Sequence, residues 1–232
     1  MDQRFLEETV RRRPALFEAI AAFNRGQIRS GSVSSVLSAC PHAAPALLDD
    51  ARIRRAWVSA CNKAVPASGW WDFSDETRRL VLLSPEQLLR LALCFSAAVH
   101  AEELAHILDR RQVLEMRALL GEDVFAYAIR RGRYQIGSLR QDILRAMPAA
   151  TLGERLLLLA RAVLLLMGET WPEELRRIWH QKLSLLSVTS EVPAFTAESL
   201  PQLSREQRRA LWFTLKKILL REAAPQWAPC FD

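Results

Sequence analysis

The chain has 232 residues, half of them hydrophobic and a quarter charged, with a net charge of +6. That composition excludes a disordered tail or a small disulfide-stapled scaffold, and the length suffices to bury a sizeable core. The basic balance invites nucleic acid as a partner. However, lysine stands only at Lys63, Lys182, Lys216 and Lys217, and the arginines are interleaved with acidic residues, as on a solvated surface.

In chain order, residues 1–31 read as a short helix or arm and then a helix from Ala15 to Asn24, with Leu16, Ile20 and Phe23 on one face. Asp2, Glu7 and Glu8 in place of an apolar core argue against a secretory signal. Gly26 and Gly31 are expected to bracket a turn. Ser32 to Ala39 admits one more helical turn before Pro41. A helix from Pro45 to Ala64 would carry Leu48, Ile53, Trp57 and Cys61 as its stripe. Trp70 and Trp71 stand side by side and cannot share one face of a regular element; the expectation is a loop anchored by its aromatics.

Ser84 to Gly132 is the organising stretch. Ser84 is an N-cap, Pro85 suits the first helical position, and Gln87 closes a capping box. Between Leu88 and Val99 only Arg90 and Ser96 are polar, so this helix must be covered on most of its circumference. A second helix from Asp109 places Val113, Met116 and Leu120 at spacings of three and four, and Gly121 ends it. A third opens on Glu122 and Asp123 and closes on Arg130 and Arg131, each sign where the helix dipole favours it.

Beyond a turn over 133–138, a helix is expected from Leu139 to Ala146. Thr151 and Glu154 form a capping box for an apolar helix from Leu152 to Met167, too short to span a bilayer. Thr170 and Glu173 are expected to cap the next helix, with Leu175, Ile178, Leu183 and Leu186 inward. Ser187 to Leu203, holding Pro193 and Pro201, lacks periodicity and reads as a connection. Ser204 and Gln207 open the last helix, which buries Leu211, Leu215, Ile218 and Leu219. Phe213 and Leu220 lie nearly opposite that face; a second layer of the domain over them is preferred to an exposed partner stripe. Residues 224–232 are expected to form an extended tail. No strand-like alternation occurs, so the chain reads as a single all-α domain over residues 1–232.

No motif for catalysis, nucleotide or cofactor binding appears. His100 and His106 are six apart, on different helix faces, and do not form a zinc helix. Glu102 and Glu103 are adjacent and point apart, which is poor geometry for a cooperating acid and base. His42 and His180 lack neighbours at ligand spacing. Cys40, Cys61, Cys94 and Cys230 form no CxxC pair and read as reduced thiols of a cytosolic protein. The cluster Arg130, Arg131, Arg133 and Tyr134 either presents guanidinium donors to a carboxylate or phosphate partner, or completes the helix dipole.

The pair His100-Ala101 at the end of an apolar helix, followed by Leu114-Glu115-Met116-Arg117-Ala118-Leu119-Leu120-Gly121-Glu122 and an aromatic helix Val124 to Arg131, resembles the SctK family (YscK/PscK-like) of type III secretion sorting-platform proteins. The closing Trp227 to Phe231 is similar to the tail of some members. The resemblance implies a non-enzymatic cytoplasmic adaptor beneath the inner-membrane ring of the injectisome. It would link the cytoplasmic domain of SctD to SctQ, and through SctL to the secretion ATPase. It implies no cofactor, metal or nucleic acid and no membrane span, with Arg130, Arg131, Arg133, Tyr134, Trp227 and Phe231 as candidate partner contacts. An arginine-rich helical nucleic-acid-binding or regulatory protein is the alternative.

Overall fold

The computed structural model describes residues 3–29, 70–137, 139–184 and 203–231. These residues are mostly helical, with no strand among them, and they gather into two compact units. The helices expected at 32–39 and 45–64, and nearly all of the 187–203 connection, lie outside the described residues.

The first unit takes in the N-terminal residues to Leu82 and the chain end from Trp227. Helices α1 (Gln3–Arg12) and α2 (Pro14–Arg29) pack on each other through Leu6, Val10, Leu16, Phe17 and Ile20, all buried. Pro14 opens α2 because the first helical position needs no amide proton. The helix runs on through Gly26, where a turn was expected; one interior glycine costs only about 1 kcal/mol, which flanking helix can absorb.

The tryptophan pair is anchored as expected. The Asn24 side chain donates to the Trp70 carbonyl at 2.8 Å and accepts from the Trp70 amide at 2.9 Å. Trp71 is buried, its ring 6.3 Å from Phe17. A 3-10 helix, Glu76–Leu82, carries the buried Arg79, which donates to the carbonyls of Phe73 and Cys230 at 3.1 and 2.8 Å.

The second unit, Leu83–Gln226, is built on α3 (Pro85–Val99). Its capping box forms as read, Ser84 with Gln87. Every residue from Leu91 to His100 is buried. Around it pack α6 (Glu122–Arg130), α7 (Leu139–Ala146), α8 (Leu152–Gly168) and α10 (Arg205–Ile218). Leu88, Leu91, Phe95, Leu156 and Leu159 are almost wholly removed from water, each stabilising the unit by about 1.5–3 kcal/mol. Ser96, the one polar side chain in the buried stretch of α3, donates to the Leu156 carbonyl of α8 at 2.7 Å.

Short α4 (Ala101–Ala105) and exposed α5 (Arg110–Leu120) link α3 to α6. Gly121 joins α5 to α6 with φ +82° and ψ 153°, a conformation open essentially to glycine alone rather than the left-handed helical one. The helix after α8, α9, spans Glu173–Ser184, so Thr170 lies too far upstream to cap it; Pro172 supplies the carbonyl that accepts from the Arg176 amide at 2.9 Å. The side chain that locks α9 onto α8 is Trp179. It is fully buried, donates to the Leu164 carbonyl at 2.9 Å, and packs so close that a Cβ at Gly168 would lie 2.7 Å from its Nε1. No helix among the described residues is long and apolar enough to cross a membrane.

Candidate interaction surface

Helix α6 positions the arginine cluster. Val124, Phe125, Tyr127 and Ala128 form its buried face, and spacings of three and four leave Arg130 and Arg131 outward at the carboxyl end, where the dipole favours cations. The chain then turns through a 3-10 segment, Gly132–Tyr134. Gly132 is buried against α3: a Cβ there would come within 3.1 Å of Ala98 Cβ and 3.2 Å of its Cα. The Tyr127 hydroxyl donates to Gln135 at 3.0 Å and holds the far side of the turn. Burial raises the Tyr127 phenol well above its ordinary pKa, so it stays a donor at neutral pH.

On this pinned turn Arg130, Arg131, Arg133 and Tyr134 all face solvent. Tyr134 is 69% exposed and lies under the Arg133 guanidinium, 4.5 Å from the ring centroid. Arg131 pairs at 2.9 Å with Glu222, from a π-helical turn (Leu219–Ala223) that follows α10. The Glu222 carbonyl also accepts from Arg90 of α3 at 3.2 Å, and Arg90 pairs with Asp123 at 2.6 Å. Four of the six sequence-predicted residues therefore share one basic, aromatic surface tied to α3 and the π turn.

Trp227 and Phe231 belong to the other unit. Trp227 is half-buried, whereas Phe231 is fully buried. Phe231 is thereby removed from the candidate contacts, and the expected extended tail is instead a 3-10 turn, Pro225–Trp227, running into α11 (Ala228–Phe231). The reason is Arg79: its guanidinium needs buried acceptors, and the Cys230 carbonyl presented by the folded tail is one of them.

A second polar cluster surrounds His100, which is fully buried where α3 gives way to α4. Its Nδ1 donates to Glu103 at 3.1 Å, while Nε2 is buried with no hydrogen-bond partner among the described residues. Burial is the main reason its pKa falls below the ordinary imidazole value, so His100 is neutral at pH 7. Burial works against the Glu103 carboxylate too, but hydrogen bonds from Arg155 and His100 outweigh it and hold its pKa below the usual range. Glu102 points away to Arg140, whose Nε donates to the Val99 carbonyl at 2.8 Å. His106 is exposed and donates to the Glu102 carbonyl at 2.6 Å, so the two histidines are not brought together. Among the described residues no group of three or more histidine, cysteine, aspartate or glutamate side chains is placed to hold a metal ion.

Phe213 is a further residue placed otherwise than expected. It is 55% exposed on α10, with Arg209 5.6 Å from its ring centroid, where a covering layer was expected; Leu220 is half-buried. No protein-family model, curated protein or solved structure gives a significant match to this chain.

Proposed function

We propose that this chain is a non-enzymatic cytoplasmic adaptor of the type III secretion sorting platform, linking the cytoplasmic domain of SctD to SctQ. The observation that carries the reading is the SctK-like run from Val99 to Arg131. Its placement supports an adaptor: the run ends in a rigidly held turn whose outward side chains are arginines and a tyrosine. Such side chains are over-represented among the anchors of protein interfaces. The remaining polar cluster, around His100, joins helices through the pairs that Glu103 makes with His100 and Arg155.

The test is co-purification of the full chain with the SctD cytoplasmic domain and with SctQ, each produced separately. Association with both is expected. Arg131→Glu combined with Tyr134→Ala should weaken one of the two by at least about tenfold at unchanged helicity, as for a central contact. Failure of the unmodified chain to associate with either component overturns the proposal. A nucleic-acid reading predicts instead binding to any duplex that falls steeply with salt.

A further inference from the structure

The outward face of α10 carries a regular ridge. Arg205, Arg209, Phe213, Lys217 and Arg221 follow one another at intervals of four, and all five are exposed. Four-residue spacing sets side chains in an oblique row that drifts by about 40° per step, so Arg209, Phe213 and Lys217 share the outward face with Arg205 and Arg221 on its flanks. The opposite face is already committed to the unit's core through Leu211, Leu215, Ile218 and Leu219. The π turn prolongs the row: the Ala224 amide donates to the Leu219 carbonyl at 2.8 Å, and Leu219 stays buried while Arg221 stays out.

Charge on this face is unbalanced. The exposed residues from 205 to 221 include four cations, Arg205, Arg209, Lys217 and Arg221, against one carboxylate, Glu206. Arg208 of α10, which pairs with Glu169 at 2.7 Å, sits off the row. Arg209 lies over the Phe213 ring, which fixes the ring at the centre of the row as a preformed apolar anchor.

We propose that this ridge docks an acidic amphipathic helix of a partner protein, one apolar side chain resting on Phe213 and carboxylates meeting the arginines and lysine on either side. An i,i+4 ridge is the shape that seats in the groove of a second helix, and the cations supply complementary charge at both ends of the contact. A membrane surface fits less well, because one exposed aromatic and a half-buried leucine give too little apolar area for an interfacial helix. A nucleic acid fits less well because the row offers one exposed ring, where single-strand binders stack successive bases on several. The inference goes beyond the adaptor reading and uses none of the residues at the Gly132 turn.

The experiment is fluorescence anisotropy of the full chain with a labelled helical peptide bearing leucines at i,i+4 flanked by glutamates, and with a scrambled peptide of the same composition. The amphipathic peptide should bind at least about tenfold more tightly than the scrambled one. Phe213→Ala should remove that advantage at unchanged helicity, and Lys217→Glu should weaken binding far more than Arg177→Glu, an equal charge change on α9. Equal binding of both peptides, no effect of Phe213→Ala, or Phe213-dependent binding to phosphatidylglycerol vesicles or duplex DNA instead of peptide would overturn it.

Discussion

Helices α8 and α10 start alike and end differently. Each opens on a capping box, Thr151 with Glu154 and Ser204 with Gln207, and each reaches the core of the same unit. Yet α8 is buried nearly all round, with Arg161 the only exposed residue between Arg155 and Gly168, whereas α10 buries one face and leaves a charged ridge in water. A capping box fixes where a helix begins, not how much of it is covered. Coverage is set by how many neighbours the rest of the chain delivers.

The largest expected effect breaks the core partner of the pair. Leu159→Ala on α8 should cost about 2–5 kcal/mol in urea unfolding, because a side chain 1% exposed leaves a cavity its packed neighbours fill only partly. Next comes the junction that α8 shares with α3 and α4. The folded His100 pKa lies below its unfolded value of 6.5, so as pH falls below 6.5 the unfolded chain takes up the proton first. The contribution of His100 is therefore fully present above pH 6.5 and is lost as pH falls toward the folded pKa. Glu103, also depressed, contributes stability that is present above its unfolded value of 4.5 and lost only below it. Arg140 and Arg155 face the same cluster and act against a charge on His100. Stability measured between pH 6.5 and 4.5 should decline in the parent and less so in His100→Gln; parallel curves would remove the histidine from the account.

Smaller effects sharpen what the two helices have in common. Thr151→Ala and Ser204→Ala should each cost ~1 kcal/mol, since both hydroxyls accept the third helical amide. Unequal costs would show that coverage also modulates a cap. At the bottom of the scale, Phe213→Ala should change unfolding stability by no more than about 0.5 kcal/mol, as expected of an exposed side chain. A loss like that of Leu159→Ala would mean the ring is covered.

What the sequence makes legible follows the same division. Ser84 with Gln87, Thr151 with Glu154 and Ser204 with Gln207 are all found capping as read, because a cap involves residues three apart. The apolar α3 and the arginine-terminated α6 are legible from periodicity. Long-range facts were hidden. Trp179 was absent from the expected inward face of α9, and nothing local couples it to Gly168. The Arg131–Glu222 pair joins positions 91 apart, and Phe231 is drawn inward by an arginine at 79. Phe213 was misread for the converse reason: an aromatic at helical spacing implies a covering neighbour only when the fold provides one.

Among the described residues the thiols of Cys94 and Cys230 are both buried, one in each compact unit. Burial pushes the Cys94 thiol up to about 12 and raises that of Cys230 as well, so neither presents the reactive thiolate while its surroundings stay closed. These two thiols thus serve as native clocks. Peptide-resolved alkylation under non-denaturing conditions times the opening of each unit by its own cysteine, and it tells concerted melting from stepwise release without an introduced cysteine.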